Sequence, residues 1–291
     1  MRFIRPFLIC ICVALSPHVA EARGVFDVIR TTSQLLHSEA RTSAQGRYLD
    51  SEDATTLYRT EQLQRSFAAC PDVFPGGKQL SRSIVQNSLK PIELCSDGFA
   101  VMYSGQTKTP VVTVEKLNRQ ILAAAKGEER TDQFYPDPRL TPGERAELED
   151  YRSSGYDRGH QAPAADRHDS TSMAQSFSLS NMVPQDPQNN RKVWSKIESD
   201  VRKFASRSNG DVFVYTGPLY KGSIETIGAS KVWVPSHLFK LVYDQASQRA
   251  WAYVLPNSGQ ARISKPIAYA EFVSYSGLKL LDGLPVNGTV R

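Results

Sequence analysis

The sequence predicts an α+β fold: one domain on a largely antiparallel sheet flanked by helices. Three observations carry this. Strand-like segments come in groups with turn residues between them. The first two read as a hairpin, Gly98 to Tyr103 and Pro110 to Val114, joined across Ser104-Gly105. The strongest helical period, residues 187–206, falls between strand groups instead of alternating with single strands.

Each element has a local reason. Residues 1–22 read as an export signal: Arg2 and Arg5, an apolar run from Phe7 to Leu15, and Ala20-Glu21-Ala22 as a small-residue cleavage site. That run is too short to span a bilayer, which takes about 20 residues, so no membrane association is expected after cleavage. Residues 23–65 form a polar extension without clear period, and residues 66–291 the main domain. Leu117 to Ala125 reads as a short helix, and Asp132 to Glu149 as a proline-rich, charged loop with a helical turn near Glu144 to Glu149. In 187–206 the apolar positions Trp194, Ile197, Val201 and Phe204 recur at helical spacing, and Asn209-Gly210 ends the helix. Strand-like runs follow at Val212 to Thr216, Lys231 to Val234, Leu238 to Tyr243 and Ala250 to Leu255. A last helix around Phe272 stops near Gly277.

Composition narrows the class. With 40% hydrophobic and 22% charged residues, the chain is an ordinary globular protein. A net charge of +5 favours polyanionic partners. Of four cysteines, Cys10 and Cys12 lie in the signal; Cys70 and Cys95 remain. In an exported protein such a pair forms a disulfide. Half of a zinc site is the alternative, but zinc wants four ligands and no CxxC or histidine pair accompanies them. The location expected from these features is periplasmic or secreted.

Two segments carry chemistry. The first is Tyr156-Asp157-Arg158-Gly159-His160. Histidine can deprotonate water near neutral pH. Arginine grips phosphate with a planar fork, and glycine allows close backbone approach. The alternative is a surface loop with chance charges. The second runs from Asn181-Met182-Val183-Pro184-Gln185 to Asn189-Asn190, then Trp194 and Glu198. Asn190 lies in line with the apolar stripe, so its amide needs a partner. It, or Asn189, can cap the helix; equally, Asn190 can offer an oxygen to magnesium, which keeps several waters. Glu198 and Arg202, four apart, are either a surface ion pair or a pair that orients metal-bound water and phosphate. His37 has no chemical context, His168 reads as a solvated loop residue, and His237 as a structural strand residue.

Together these segments resemble the non-specific DNA/RNA endonuclease family, the ββα-metal nucleases that include the Serratia-type enzyme and endonuclease G. The matching residues are Asp157-Arg158-Gly159-His160 with Pro163 and Asp166, Asn181 with Pro184-Gln185, and Asn190 with Trp194 and Glu198. Arg130 with Phe134 and Asp137, Thr216-Gly217-Pro218, and Val234-Pro235 with His237 and Lys240 add to it. So does the tail around Phe272, Gly277 and Leu278. The likeness runs from about Gly98 to Leu284. It implies a ββα-metal fold and hydrolysis of DNA and RNA with little sequence preference, leaving 5′ phosphates. It implies His160 as general base, Asn190 as the protein ligand to Mg2+ (with Mn2+ as a substitute), and Glu198 holding a metal water. Arg130, Arg158 and Arg202 would meet phosphate, Asn181 would position the site and Asp157 would brace the loop. A homodimer and a protein inhibitor are compatible with it.

Two competing readings are a binding protein of the same fold without catalysis, and an exported zinc phosphodiesterase. The first should show damage at His160 or Asn190, and both are intact. The second should show clustered histidine and aspartate ligands, whereas the histidines are scattered.

Overall fold

The computed structural model describes residues 64–288. The expected signal (1–22) and all but the last two residues of the polar extension (23–65) lie outside the described residues.

The centre is a seven-stranded sheet in the order β1-β2-β3-β6-β9-β10-β11. The strands are β1 (Pro91–Ser96), β2 (Phe99–Ser104), β3 (Thr109–Leu117), β6 (Val212–Leu219), β9 (His237–Asp244), β10 (Arg249–Pro256) and β11 (Ile267–Ala268). Every pairing in it is antiparallel, which agrees with the expected class. The 98–114 hairpin is present as β2 and β3. Strand β1 before it was not anticipated: Pro91 and Lys90 hide its start, and its period is short. Lys231 to Val234 forms a separate small ribbon, β7 (Glu225–Ile227) with β8 (Val232–Val234).

Alternation along the strands gives the sheet two different faces. Phe213, Tyr215, Leu241 and Tyr243 pack on one side with Phe67, Phe74, Phe272 and Leu281. Short 3-10 turns between Phe67 and Leu89 and the helix Tyr269–Ser276 cover that face. That C-terminal helix stops at Gly277, whose left-handed φ of 76° closes it at the expected place. The other face carries Val212, Val214, Leu238 and Val242 against Trp194, Ile197, Val201 and Ala205. Burying side chains such as Ile197 and Val201 contributes about 1.5–3 kcal/mol each.

The expected helix 187–206 is two pieces. Asn189–Trp194 is a π-helical turn, and an α-helix (Ser195–Ala205) continues it. A periodicity argument assumes a uniform α-helix and cannot register the extra residue of a π turn. The predicted helix at 117–125 shrinks to Arg119–Ala124, capped by Asn118 on the Ile121 N–H at 2.9 Å. Residues 132–149 are largely loop, as expected, with short turns at Pro142–Glu144 and Leu148–Tyr151. A helix at Ser170–Ser176, capped by Asp169, was missed because its face is mostly serine and threonine.

Cys70 and Cys95 form a disulfide. It ties the turn at Phe67–Ala69 to β1.

Candidate active site

The site begins with a two-stranded ribbon, β4 (Asp157–His160) and β5 (Met182–Gln185), with Asp157 opposite Gln185 and His160 opposite Met182. Five residues past Gln185 lies Asn190, within the π turn. Ribbon and helix thus form a two-strand-plus-helix unit.

Gly159 faces Gln185 so closely that a Cβ there would lie 2.1 Å from Oε1 and 2.6 Å from Cβ of Gln185. No side chain fits. The amide nitrogen of Gln185 donates to Asn189 Oδ1 at 2.9 Å, so the close approach ties ribbon to helix.

His160 sits in an aromatic box. Phe177 meets it edge-on at 4.9 Å and Phe134 lies at 5.6 Å. Its Nε2 is buried and has no hydrogen-bond partner, although part of the residue's surface remains open. Desolvation chiefly, then the positive charges of Arg130, Arg167 and Arg158, hold its pKa down at about 3. The ring is therefore neutral at physiological pH. An unpaired buried nitrogen calls for an explanation; a neutral imidazole nitrogen of this kind is able to accept a proton.

The arginines stand around this box. Arg158 lies 4.2 Å over Phe134, and Arg130 lies 5.0 Å over Phe177. Arg130 also pairs with Asp132 at 2.6 Å. Its charge lowers the pKa of both His160 and Glu198. Arg130, Phe134, Asp157, Arg158 and Asn190 line one cavity of about 630 Å3.

Asn190 does not cap the helix. Asp186 does, accepting from the N–H groups of Gln188 and Asn189 at 2.8 and 2.9 Å. The Asn190 amide nitrogen instead donates to Asp157 Oδ2 at 2.9 Å. That bond fixes the amide with its oxygen free. Asp157 also takes both prongs of Arg191, at 2.6 and 2.9 Å. It braces the asparagine more than the loop.

The i,i+4 pairing of Glu198 with Arg202 is replaced. Arg202 donates to Asp166 at 3.0 Å, because the 3-10 turn Ala164–Asp166 brings that carboxylate to the helix. Glu198 is left without an ion-pair partner among the described residues. Burial raises its carboxyl pKa to about 7; Lys240, Arg202 and Arg130 pull down and Asp166 pushes up. Lys240 is itself buried on the same sheet face, bonded to Thr216 at 2.7 Å and 5.5 Å from the Trp194 ring.

Asn181 is fully buried. Its amide donates to the carbonyls of Ala162 and Ser176 at 2.9 Å, and its oxygen accepts the Ala162 N–H at 2.9 Å. It holds the chain just past His160. Beside it, Asp137 accepts three bonds from Arg139, one of them from its backbone N–H, and further ones from Ser178 and Ser180, which fixes the loop bearing Phe134.

The oxygen donors fit a hard cation. A freed amide oxygen and an unpaired carboxylate suit magnesium with water in its remaining positions. Among the described residues no group of three or more His, Cys, Asp or Glu could hold a metal, so the nitrogen-rich cluster of a zinc enzyme is not built there. Neither Phe177 nor Arg191 was anticipated. Arg191 is signalled by lying next to Asn190; Phe177 has no local signal. His168 pairs with Asp169 at 3.1 Å on the surface, and His237 packs against Tyr275, as expected of bystanders.

The sequence model described as DNA/RNA non-specific endonuclease matches residues 77–287. Nuclease 1, mitochondrial, of Schizosaccharomyces pombe is 35% identical over 213 residues, 65% of either chain. Nuclease EXOG, mitochondrial, of Homo sapiens is 34% identical over 208 residues, 65% of this chain and 55% of that one. Endonuclease G, mitochondrial, of Homo sapiens is 34% identical over 176 residues, 56% and 59% of the two chains. The match spans about half to two thirds of these relatives' length. Among solved structures, an EndoG/EndoGI complex superposes with a TM-score of 0.61 at 28% identity, covering 68% of this chain and 89% of that one. These relatives are mitochondrial by name, which overturns the expected periplasmic or secreted location.

Proposed function

The chain belongs to the DNA/RNA non-specific endonuclease family, and from that membership we propose that it hydrolyses phosphodiester bonds in DNA and RNA, with His160 as general base and a magnesium ion at Asn190. The observation that carries this reading is the unpaired Nε2 of a neutral His160 among Arg130 and Arg158.

The steps follow from the residues. A phosphodiester enters the cavity and its charge is met by Arg130 and Arg158. Arginine's fork suits phosphate oxygens. His160 Nε2 accepts a proton from a water as that water attacks phosphorus and the P–O3′ bond breaks; the 3′ oxygen takes its proton from a second water in the site and leaves as a hydroxyl, so products carry 5′ phosphates. The aromatic box fixes the ring and limits water to that face. Asn190 would offer its oxygen to the cation, with its amide held in place by Asp157, and Glu198 would accept from water around it. When bound, magnesium supplies charge stabilisation for the transition state and the leaving oxygen. Contacts of this kind go to phosphate and carry no base information, which supports low sequence preference. A protein inhibitor belongs to the same proposal as a partner, supported by the superposed structure being an EndoG/EndoGI complex.

The test is plasmid and RNA digestion with and without chelator, followed by magnesium or zinc. Activity should vanish on chelation and return with magnesium. His160→Ala should lose about 10²–10⁴-fold in turnover while retaining DNA binding. Asn190→Ala should need more magnesium, seen as weaker metal binding in calorimetry. Undiminished turnover in His160→Ala, or a strict zinc requirement, would refute the reading.

A further inference from the structure

Beyond the groups used on phosphate, the cavity has a second kind of wall. Leu148, Tyr151 and Tyr156 line it together with Arg130, Arg158 and Asn190. Leu148 is 38% exposed, one of four large apolar side chains so open among the described residues, and it is the one on this wall. It opens the short helix Leu148–Tyr151, whose capping box between Glu147 and Asp150 fixes its position. Tyr156 is partly exposed, and its hydroxyl donates to Glu225 at 3.1 Å outside the apolar wall formed by the ring. Arg152 lies on the same rim, paired with Glu149 at 2.7 Å.

What sets Leu148 apart is its place: it shares a cavity wall with Tyr151 and Tyr156 beside Arg130 and Arg158, where a flat apolar group laid on it would be stabilised by about 25 cal/mol per Å2 of area removed from water. A cavity that is cationic and apolar-aromatic has the mixed chemistry of a nucleotide: a phosphate and a flat, weakly polar base. At about 630 Å3 it falls within the range of sites for small organic ligands.

We propose that this wall is a nucleobase subsite: the base flanking the scissile phosphodiester leaves its stack and lies on Leu148 and Tyr156. Every base has a flat face, so such a platform is tolerant of sequence. Single strands, whose bases unstack at least cost, are then the better substrates. The inference rests on the nuclease reading above.

Two single-stranded oligonucleotides test it, one fully base-bearing and one with abasic tetrahydrofuran residues flanking the cleavable bonds. The wild-type protein should cleave the base-bearing strand about tenfold faster, in keeping with base stacking on side chains. Combining Leu148→Ser with Tyr156→Ala should bring that ratio close to one. Leu148→Ala alone should lower it in part, and Tyr156→Phe, which keeps the ring, should preserve it. Thermal melts establish that the variants are folded. Equal wild-type rates on the two strands, or an unchanged ratio in both the double variant and Leu148→Ala, would overturn the subsite and leave the nuclease reading intact. No cleavage of either strand by the wild type would overturn both.

Discussion

At the scale of single residues, the site works by withholding partners. His160 Nε2 has none, Glu198 has no ion pair among the described residues, and the Asn190 oxygen is left free because its nitrogen is held by Asp157. Each group is costly to leave so, and the surrounding structure fixes it there. For His160 the cost depends on pH. Its folded pKa, about 3, lies below the value near 6.5 of an unfolded chain. As pH falls from about 6.5 toward 3, the unfolded chain binds a proton that the folded protein refuses. Acid thus favours unfolding through this residue, and above pH 6.5 its contribution vanishes. Replacing it with a group that does not titrate, His160→Asn, should reduce the stability lost between pH 7 and pH 4.5. Urea melts of both proteins at the two pH values check this. Equal losses would mean that the folded ring takes up the proton after all.

At the scale of elements, the ribbon β4–β5 and the π-turn between Asn189 and Trp194 carry the candidate site. The antiparallel register puts Asp157 beside Gln185, and the chain then turns into the helix within five residues. The extra residue of the π turn accompanies Asn190's bond back to Asp157, in keeping with the frequent occurrence of π turns at functional sites. Gly159 is the point of closest approach. Gly159→Ala would drive its Cβ into Gln185 and force the strands apart. Overpacking of this kind costs about 1–3 kcal/mol. Urea denaturation should show that loss, and turnover should fall as Asp157 and Asn190 separate. A variant with wild-type stability and rate would show that Gln185 can swing aside at no cost. Helix position has a second anchor in the Arg202–Asp166 pair, which links the α-helical part to the turn after Pro163.

At the scale of the molecule, the seven-stranded sheet separates two tasks. One face carries an apolar core closed by the turns from Phe67 onward and by the helix at Tyr269–Ser276. The other supports the site with apolar positions and with buried polar ones: Thr113 reaches Asn181, Glu115 pairs with Arg167, and Lys240 holds Thr216. The disulfide Cys70–Cys95 belongs to the core side. It closes a loop with a sequence separation of 25; in the chain-entropy account a loop of that length stabilises by about 3 kcal/mol. Cys70→Ser with Cys95→Ser should lower the urea midpoint accordingly, while turnover without denaturant stays close to wild type, since neither cysteine lines the cavity of the candidate site. A comparable fall in turnover would show that the two faces are coupled.

Residue chemistry and local period were legible from the chain alone. They determined the α+β class, the hairpin at 98–114, the helix after Asn189, and the segments that hold His160 and Asn190. All of these depend on neighbours a few residues apart or on the chemistry of a side chain by itself. Tertiary structure decided the rest: Arg202 bonded to Asp166 instead of Glu198, Asp186 as the cap in place of an asparagine, Phe177 against His160, and an open Leu148 on the cavity wall. Those relations join segments whose spacing along the chain carries no record of their meeting. Only the folded backbone sets which donor is nearest to which acceptor, and thereby which groups remain unpaired.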